Sequence, residues 1–212
     1  MDHTHEQITV VGEGAITAAP DLMRLMAGVE VRRATPGEAF SASRTAAAKL
    51  TRTLVEAGID AEDLRTNELS LGPEYEAYPK VAGYRAAQGV EAVIRDLSRA
   101  DEIIDTVAGV GEEVRLNGVA FELSKPDEVL EKARERAFGN AAAKAAQYAS
   151  LAGRRLGRVV SVSEEVNGPP QPLMAAAEAF DAKGSASPGR QTIAVTVRVV
   201  YGFADTTGES LP

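Results

Sequence analysis

Alternation of apolar and polar residues is clearest at 22–33, where Met23, Leu25, Ala27, Val29 and Val31 share one face and Arg24, Met26, Glu30 and Arg32 the other. Period two over this length predicts a half-buried strand. The same period predicts strands at 7–16, 64–71, 81–96, 114–123, 159–166 and 191–203; in the last, Ile193, Val195, Val197, Val199 and Tyr201 alternate against Thr196 and Arg198. Glycines weaken 7–16 (Gly12-Glu13-Gly14), and Gly89 predicts a bend in 81–96.

Between these strands the period changes to that of a helix. Thr35 is an N-cap, Pro36 a first helical residue, Glu38 the capping-box acid and Gly58 the stop. Phe40, Ala47, Leu50 and Leu54 form the expected buried stripe. Ser98 to Asp101 is read as the cap of a short helix carrying Ile103, Ile104 and Val107. An alanine-rich helix is predicted at 126–152, since alanine favours helix and lets a neighbour approach closely.

The two longer helices look alike. Thr35-Pro36-x-Glu38 leads to Ala46-Ala47-Ala48-Lys49 and Gly58; Lys125-Pro126-x-Glu128 leads to Ala141-Ala142-Ala143-Lys144 and Gly153. The order ββαββ then αβαββ therefore predicts an α+β fold, an antiparallel sheet with helices packed on it, built as an internal pseudo-repeat. The expected organisation is a disordered tail at 1–6 and a single domain over 7–204. That domain has two related halves (7–97 and 98–204) and an insertion at 168–189, and a second tail follows at 205–212.

Composition narrows the function. The 212 residues are 44% hydrophobic and 25% charged, the usage of a globular chain. A net charge of -8 argues against nucleic acid as a partner. No apolar run is long enough to span a membrane. With no cysteine, disulfides, thiolate catalysis and thiol redox sensing are excluded. The opening Met1-Asp2-His3-Thr4-His5-Glu6 lacks the basic and apolar regions of a leader. The expectation is cytoplasmic as written, and periplasmic or secreted if a leader was removed.

No candidate chemistry outweighs its plain explanation. His3 and His5, the only histidines, have no carboxylates spaced to complete a metal site. Gly12-Glu13-Gly14 is followed by a strand, not by the helix a nucleotide loop needs, so close backbone approach or an edge bulge explains it. The acid pairs Asp101-Glu102, Glu112-Glu113 and Glu164-Glu165 point to opposite faces where they lie on strands; Asp101 is read as a helix cap. The basic residues Lys132, Arg134, Arg136, Lys144, Arg154 and Arg155 read as a solvated face. No catalytic, cofactor-binding or metal residue is assigned, and no cofactor.

Contact residues are the better candidates. Tyr75, Tyr78 and Tyr84 flank the predicted loop 72–79 in a chain with only 5% aromatics. They either form a contact surface or clamp the hairpin to the sheet. Leu173, Met174, Ala177 and Phe180 fall on one face of two possible helical turns inside the insertion, and need burial on this subunit or a neighbour.

Val11-Gly-Glu-Gly, Pro20-Asp21, Leu64-Arg-Thr-Asn, Pro73-Glu-Tyr75, Tyr84-x-Ala, Asn117-Gly-Val-x-Phe121 and Leu156-Gly-x-Val159 occur in an order that resembles the SIMPL-domain family, over roughly 7–203. The resemblance implies an α+β fold, frequent export, ring-like or channel-like homo-oligomers and a link to bacterial oxidative-stress defence. It supplies no catalytic residues. Two functional readings stand. The first is a non-enzymatic homo-oligomeric assembly or interaction protein whose protein partner is unknown. The alternative is a small-ligand binder, or an enzyme using carboxylates and arginine, with its site between the two halves.

Overall fold

A computed structural model describes residues 6–165 and 187–204. Leu173, Met174 and Phe180 lie outside the described residues, as do His3 and His5. The class is α+β with antiparallel sheets, as the strand and helix order predicts. The chain forms two compact units that interleave in sequence.

The unit over 20–124 holds β2 (Leu22–Arg33), α1 (Pro36–Glu56), β3 (Leu64–Ala77), β4 (Lys80–Ile94), α2 (Ala100–Ala108) and β5 (Val114–Glu122). Its sheet has the order β3-β4-β2-β5, every pair antiparallel. The face of β2 carrying Met23, Leu25, Ala27 and Val29 packs under Leu50 and Leu54 of α1 and Ile103 and Val107 of α2. Thr35 caps α1, its Oγ1 accepting from Glu38 N at 3.3 Å. Gly58, at φ 88°, closes the helix with paired bonds Ile59 N to Leu54 O and Gly58 N to Val55 O.

The other unit holds β1 (Gln7–Ala18), α3 (Pro126–Leu151), β6 (Leu156–Glu165) and β7 (Gln191–Phe203), with the antiparallel order β1-β7-β6. Its core is a row of alanines, 133, 137, 141 and 145, on one line of α3 against Val10, Val195, Val197, Val199 and Tyr201, and buried Ala149 continues the line. Residues four apart form the ridge along which helices pack most often, and alanine makes that ridge shallow. Gly12 and Gly14 complete the fit. A Cβ at Gly12 would stand 2.1 Å from the Ala137 carbonyl oxygen, and one at Gly14 2.2 Å from that of Ala133. The glycine pair therefore serves close backbone approach on an edge strand. α3 ends as α1 does, with Gly153 at φ 67° and bonds Arg154 N to Ala149 O and Gly153 N to Ser150 O.

Several local expectations need correction. The segment 72–77 is strand: β3 runs on to Ala77, and only Tyr78 and Pro79 turn. Pro73 is tolerated because β3 is an edge strand, where a missing N–H costs no ladder bond. β4 runs unbroken through Gly89, which faces the bulge between Thr66 and Glu68, where the Asn67 side chain lies over it. Ala39 takes the buried position expected of Phe40, which is half-buried. Asp96 caps the turn before α2, accepting from Ser98 N, and Asp101 sits inside the first helical turn.

Candidate functional site

A sheet edge offers unpaired backbone groups to any strand that arrives, so the treatment of each edge governs what the protein can join. In the three-stranded sheet the two edges differ. β1 is covered by side chains of α3. Lys144 Nζ donates to Val11 O at 2.8 Å, Arg136 Nη1 donates to Ala15 O at 2.9 Å, and Glu13 N donates to Asn140 Oδ1 at 3.2 Å. Residues 136, 140 and 144 form a second four-residue ridge beside the alanine row, so the geometry that packs the helix also brings these groups to the strand edge.

The solvated-face reading is thus corrected for four of the six basic residues. Lys144 and Arg136 spend their charge on backbone carbonyls, Arg134 pairs with Glu164 at 2.7 Å, and Arg154 pairs with Glu6. These contacts span more than a hundred residues for β1, and no local pattern signals them.

β6 has no such cover among the described residues. Val159, Val160 and Val162 are 39%, 45% and 52% exposed on this edge strand. Its acids are divided by the pleat: Glu164 faces Arg134 on the helix side, while Glu165 pairs with Arg198 at 2.6 Å on the other. As expected for adjacent strand residues, they do not cooperate.

In the four-stranded sheet β3 is an edge, bulged at Thr66/Glu68 and near Tyr75. Tyr75 and Tyr78 meet at the hairpin tip with ring centroids 5.5 Å apart. Tyr78 is 85% exposed and Tyr75 48%. Tyr84 is half-buried further down β4, opposite Pro73. Lys80 and Glu76 pair across the turn at 2.5 Å.

Charged groups converge on the helix-free face of this sheet. Glu91, only 4% exposed, lies between Arg24 and Arg65, whose Nη2 is 2.8 Å from Oε2. Arg24 also grips Glu122 through two bonds of 2.9 and 2.7 Å. Burial pushes the Glu91 carboxyl up, but the hydrogen bonds from Arg65 and Arg24 outweigh it and hold the group below the usual carboxylate range. The Arg24 hydrogen bonds lower Glu122 likewise. Two arginines and two glutamates satisfy one another, which makes this a lock between β2, β3, β4 and β5 with no vacant charge for a substrate.

Two concavities among the described residues are largely open to solvent. One of about 350 Å³ lies among Glu30, Arg32, Arg33, Glu112, Glu113 and Arg115. Among the described residues no three His, Asp or Glu side chains gather as metal ligands, and no helix is long and apolar enough to cross a membrane.

A family model described as "SIMPL: Protein of unknown function (DUF541)" matches residues 8–201. The chain is 33% identical to the "26 kDa periplasmic immunogenic protein" of Brucella melitensis, over 92% of this chain and 84% of the relative. It is 28% identical to the "Uncharacterized protein YggE" of Escherichia coli, over 79% of this chain and 69% of the relative. A YggE of Edwardsiella ictaluri is 31% identical over 78% of this chain and 71% of the relative.

Proposed function

The chain belongs to the SIMPL family, and on that premise we propose that it is a non-enzymatic assembly protein whose copies join through exposed sheet edges. The unequal treatment of the two edges in the three-stranded sheet carries the reading. Three side chains of α3 close β1, while among the described residues nothing covers the backbone edge of β6, which carries three exposed valines. A protein with no use for an open edge has the means to cover it, as β1 demonstrates. Pairing β6 with another copy satisfies its outer N–H and C=O groups and buries its valines together.

The tyrosine pair at the hairpin tip is a second contact in the proposal, together with Tyr84 below it, since exposed aromatic anchors dominate protein contacts. The two-halves reading of the sequence belongs to the proposal too; the matching glycine-closed ends of α1 and α3 support it. The name of the Brucella relatives supports a periplasmic location. Any part in oxidative-stress defence works through partners or through the 4 methionines as scavengers, because a chain without cysteine has no thiol to spend.

Size-exclusion chromatography with light scattering tests the assembly. A mass of several subunits at micromolar concentration is expected, and a clean monomer removes the proposal.

A further inference from the structure

Two bulges in the four-stranded sheet share one design. Gly28 of β2 and Gly89 of β4 are direct partners, and the strand on each side of them gains an extra asparagine. In β3 it is Asn67, between Thr66 and Glu68; in β5 it is Asn117, between Leu116 and Gly118. Both carboxamides lean over the glycines. A Cβ at Gly89 would stand 2.2 Å from Asn67 Oδ1, and one at Gly28 3.4 Å from Asn117 Nδ2. Both asparagines are exposed, and neither side chain is held by a hydrogen bond among the described residues. Asn140 differs: it lies inside α3 and its side chain accepts from Glu13 N at 3.2 Å.

The residue that follows separates the two bulges. Asn67 precedes Glu68, whose side chain crowds its backbone nitrogen, while Asn117 precedes Gly118, which has no side chain. Gly118 also takes φ 150°, which L side chains rarely adopt. β5 is an edge strand, and its bulged residue stands outside the ladder. We propose that Asn117-Gly118 is a self-modification site, at which the folded chain converts the Asn117 carboxamide to a carboxylate. The Gly118 nitrogen gives up its proton, bonds to Asn117 Cγ and closes a cyclic imide. The Cγ–Nδ2 bond breaks, and Nδ2 leaves as ammonia with that proton. Water then opens the ring at either carbonyl, leaving aspartate or isoaspartate at 117. Water is the only co-reactant, and nothing is oxidised or reduced. Either product adds a carboxylate to the face where Glu30 and Glu91 are the next residues beyond Gly28 and Gly89, so like charges oppose one another. Isoaspartate also carries the β5 backbone through an extra carbon, which shifts its pairing with β2. Aged copies are thus marked by charge and by a loosened β5 edge.

Ageing the purified chain in mildly alkaline buffer, folded and in urea, tests the site, with peptides mapped by mass spectrometry and isoaspartate resolved from aspartate. The folded chain is expected to convert Asn117 within about tenfold of its rate in urea, because a bulge on an edge strand needs little local opening. Isoaspartate is expected to be the major product, and Asn67 and Asn140 to remain amides in the folded chain. Asn-Gly recurs at 167–168, outside the described residues, and its own peptide is read separately. Gly118→Ala is expected to slow the reaction at least about tenfold, since a side chain beside the attacking nitrogen hinders ring closure. Asn117→Gln, which keeps Gly118 and a carboxamide but disfavours the ring, is expected to stay unconverted; melting curves confirm folding of both variants. An Asn117 that survives in the folded chain while converting in urea overturns the site, because the fold then protects it. Conversion of Asn67 and Asn140 at the same rate in the folded chain overturns it too, since transient unfolding then accounts for all three. Unslowed conversion in both variants overturns the ring closure.

Discussion

Gly12→Ala tests the closest approach recorded at any of the described glycines. The new methyl carbon would lie 2.1 Å from the Ala137 carbonyl oxygen and 2.7 Å from the Ala141 methyl. Neither obstacle is the end of a flexible side chain, so α3 must retreat from β1 by about 1 Å. A gap of that size forfeits up to half of each dispersion contact. Four alanine methyls of the core row with roughly ten atom pairs each, at about 0.1–0.2 kcal/mol per pair, then lose up to about 2–4 kcal/mol. That agrees with the ~1–3 kcal/mol typical of overpacked cores, and retreat also stretches the Lys144 and Arg136 bonds to β1. The expected cost is about 3 kcal/mol, or about 6–12 °C in Tm for a chain of this length. Gly139→Ala on the same helix is the control. Nothing stands within 4 Å of its added methyl, so helix propensity alone acts and stability rises by ~0.5–1 kcal/mol. Urea denaturation of both variants reads the pair of opposite signs. Gly12→Ala within about 0.5 kcal/mol of the parent, the range of an ordinary surface change, would refute the close-packed layer.

Glu91→Gln removes a carboxylate shared by two guanidinium groups, and denaturation at neutral pH should show a loss of about 1–3 kcal/mol. Because the folded-state pKa of Glu91 is depressed, its contribution is present above the ordinary carboxylate pKa and lost as pH falls through the folded value; the gap between parent and variant should therefore close in acid. A gap independent of pH contradicts that. Among the described residues the Tyr201 hydroxyl is buried without a partner, and burial pushes its pKa up, so Tyr201→Phe should stabilise by about 1 kcal/mol in the same assay. Loss of stability would point to a partner for the hydroxyl. V160K/V162K on β6 should reduce the light-scattering mass to one subunit while leaving stability within about 0.5 kcal/mol; an unchanged mass counts against the edge assembly.

Local signals in the sequence were enough for the elements. Alternation from Met23 to Val31 marks β2, and Pro36 and Gly58 punctuate α1, because those residues act through their own backbone. Gly12 and Gly14 were legible as places of close approach, and the four-residue alanine spacing in α3 was there to be read as the surface that approaches. The extension of β3 through Gly72 and Pro73 was hidden, since turn residues are permitted on an edge and edge status depends on topology. The capping of β1 was hidden more deeply. Lys144 looks like any exposed lysine until the fold brings Val11 beside it. Glu91 reads as an outward strand residue, and only the pairing of β2, β3 and β4 places Arg24 and Arg65 around it.

Amide hydrogen exchange along β6, followed from nanomolar to micromolar chain, addresses the open edge itself. The account predicts that the outward amides of β6 exchange freely when dilute and become protected on association, with β1 amides unchanged because α3 already covers that edge. Exchange along β6 that does not depend on concentration, or protection that arises at β1 instead, contradicts it.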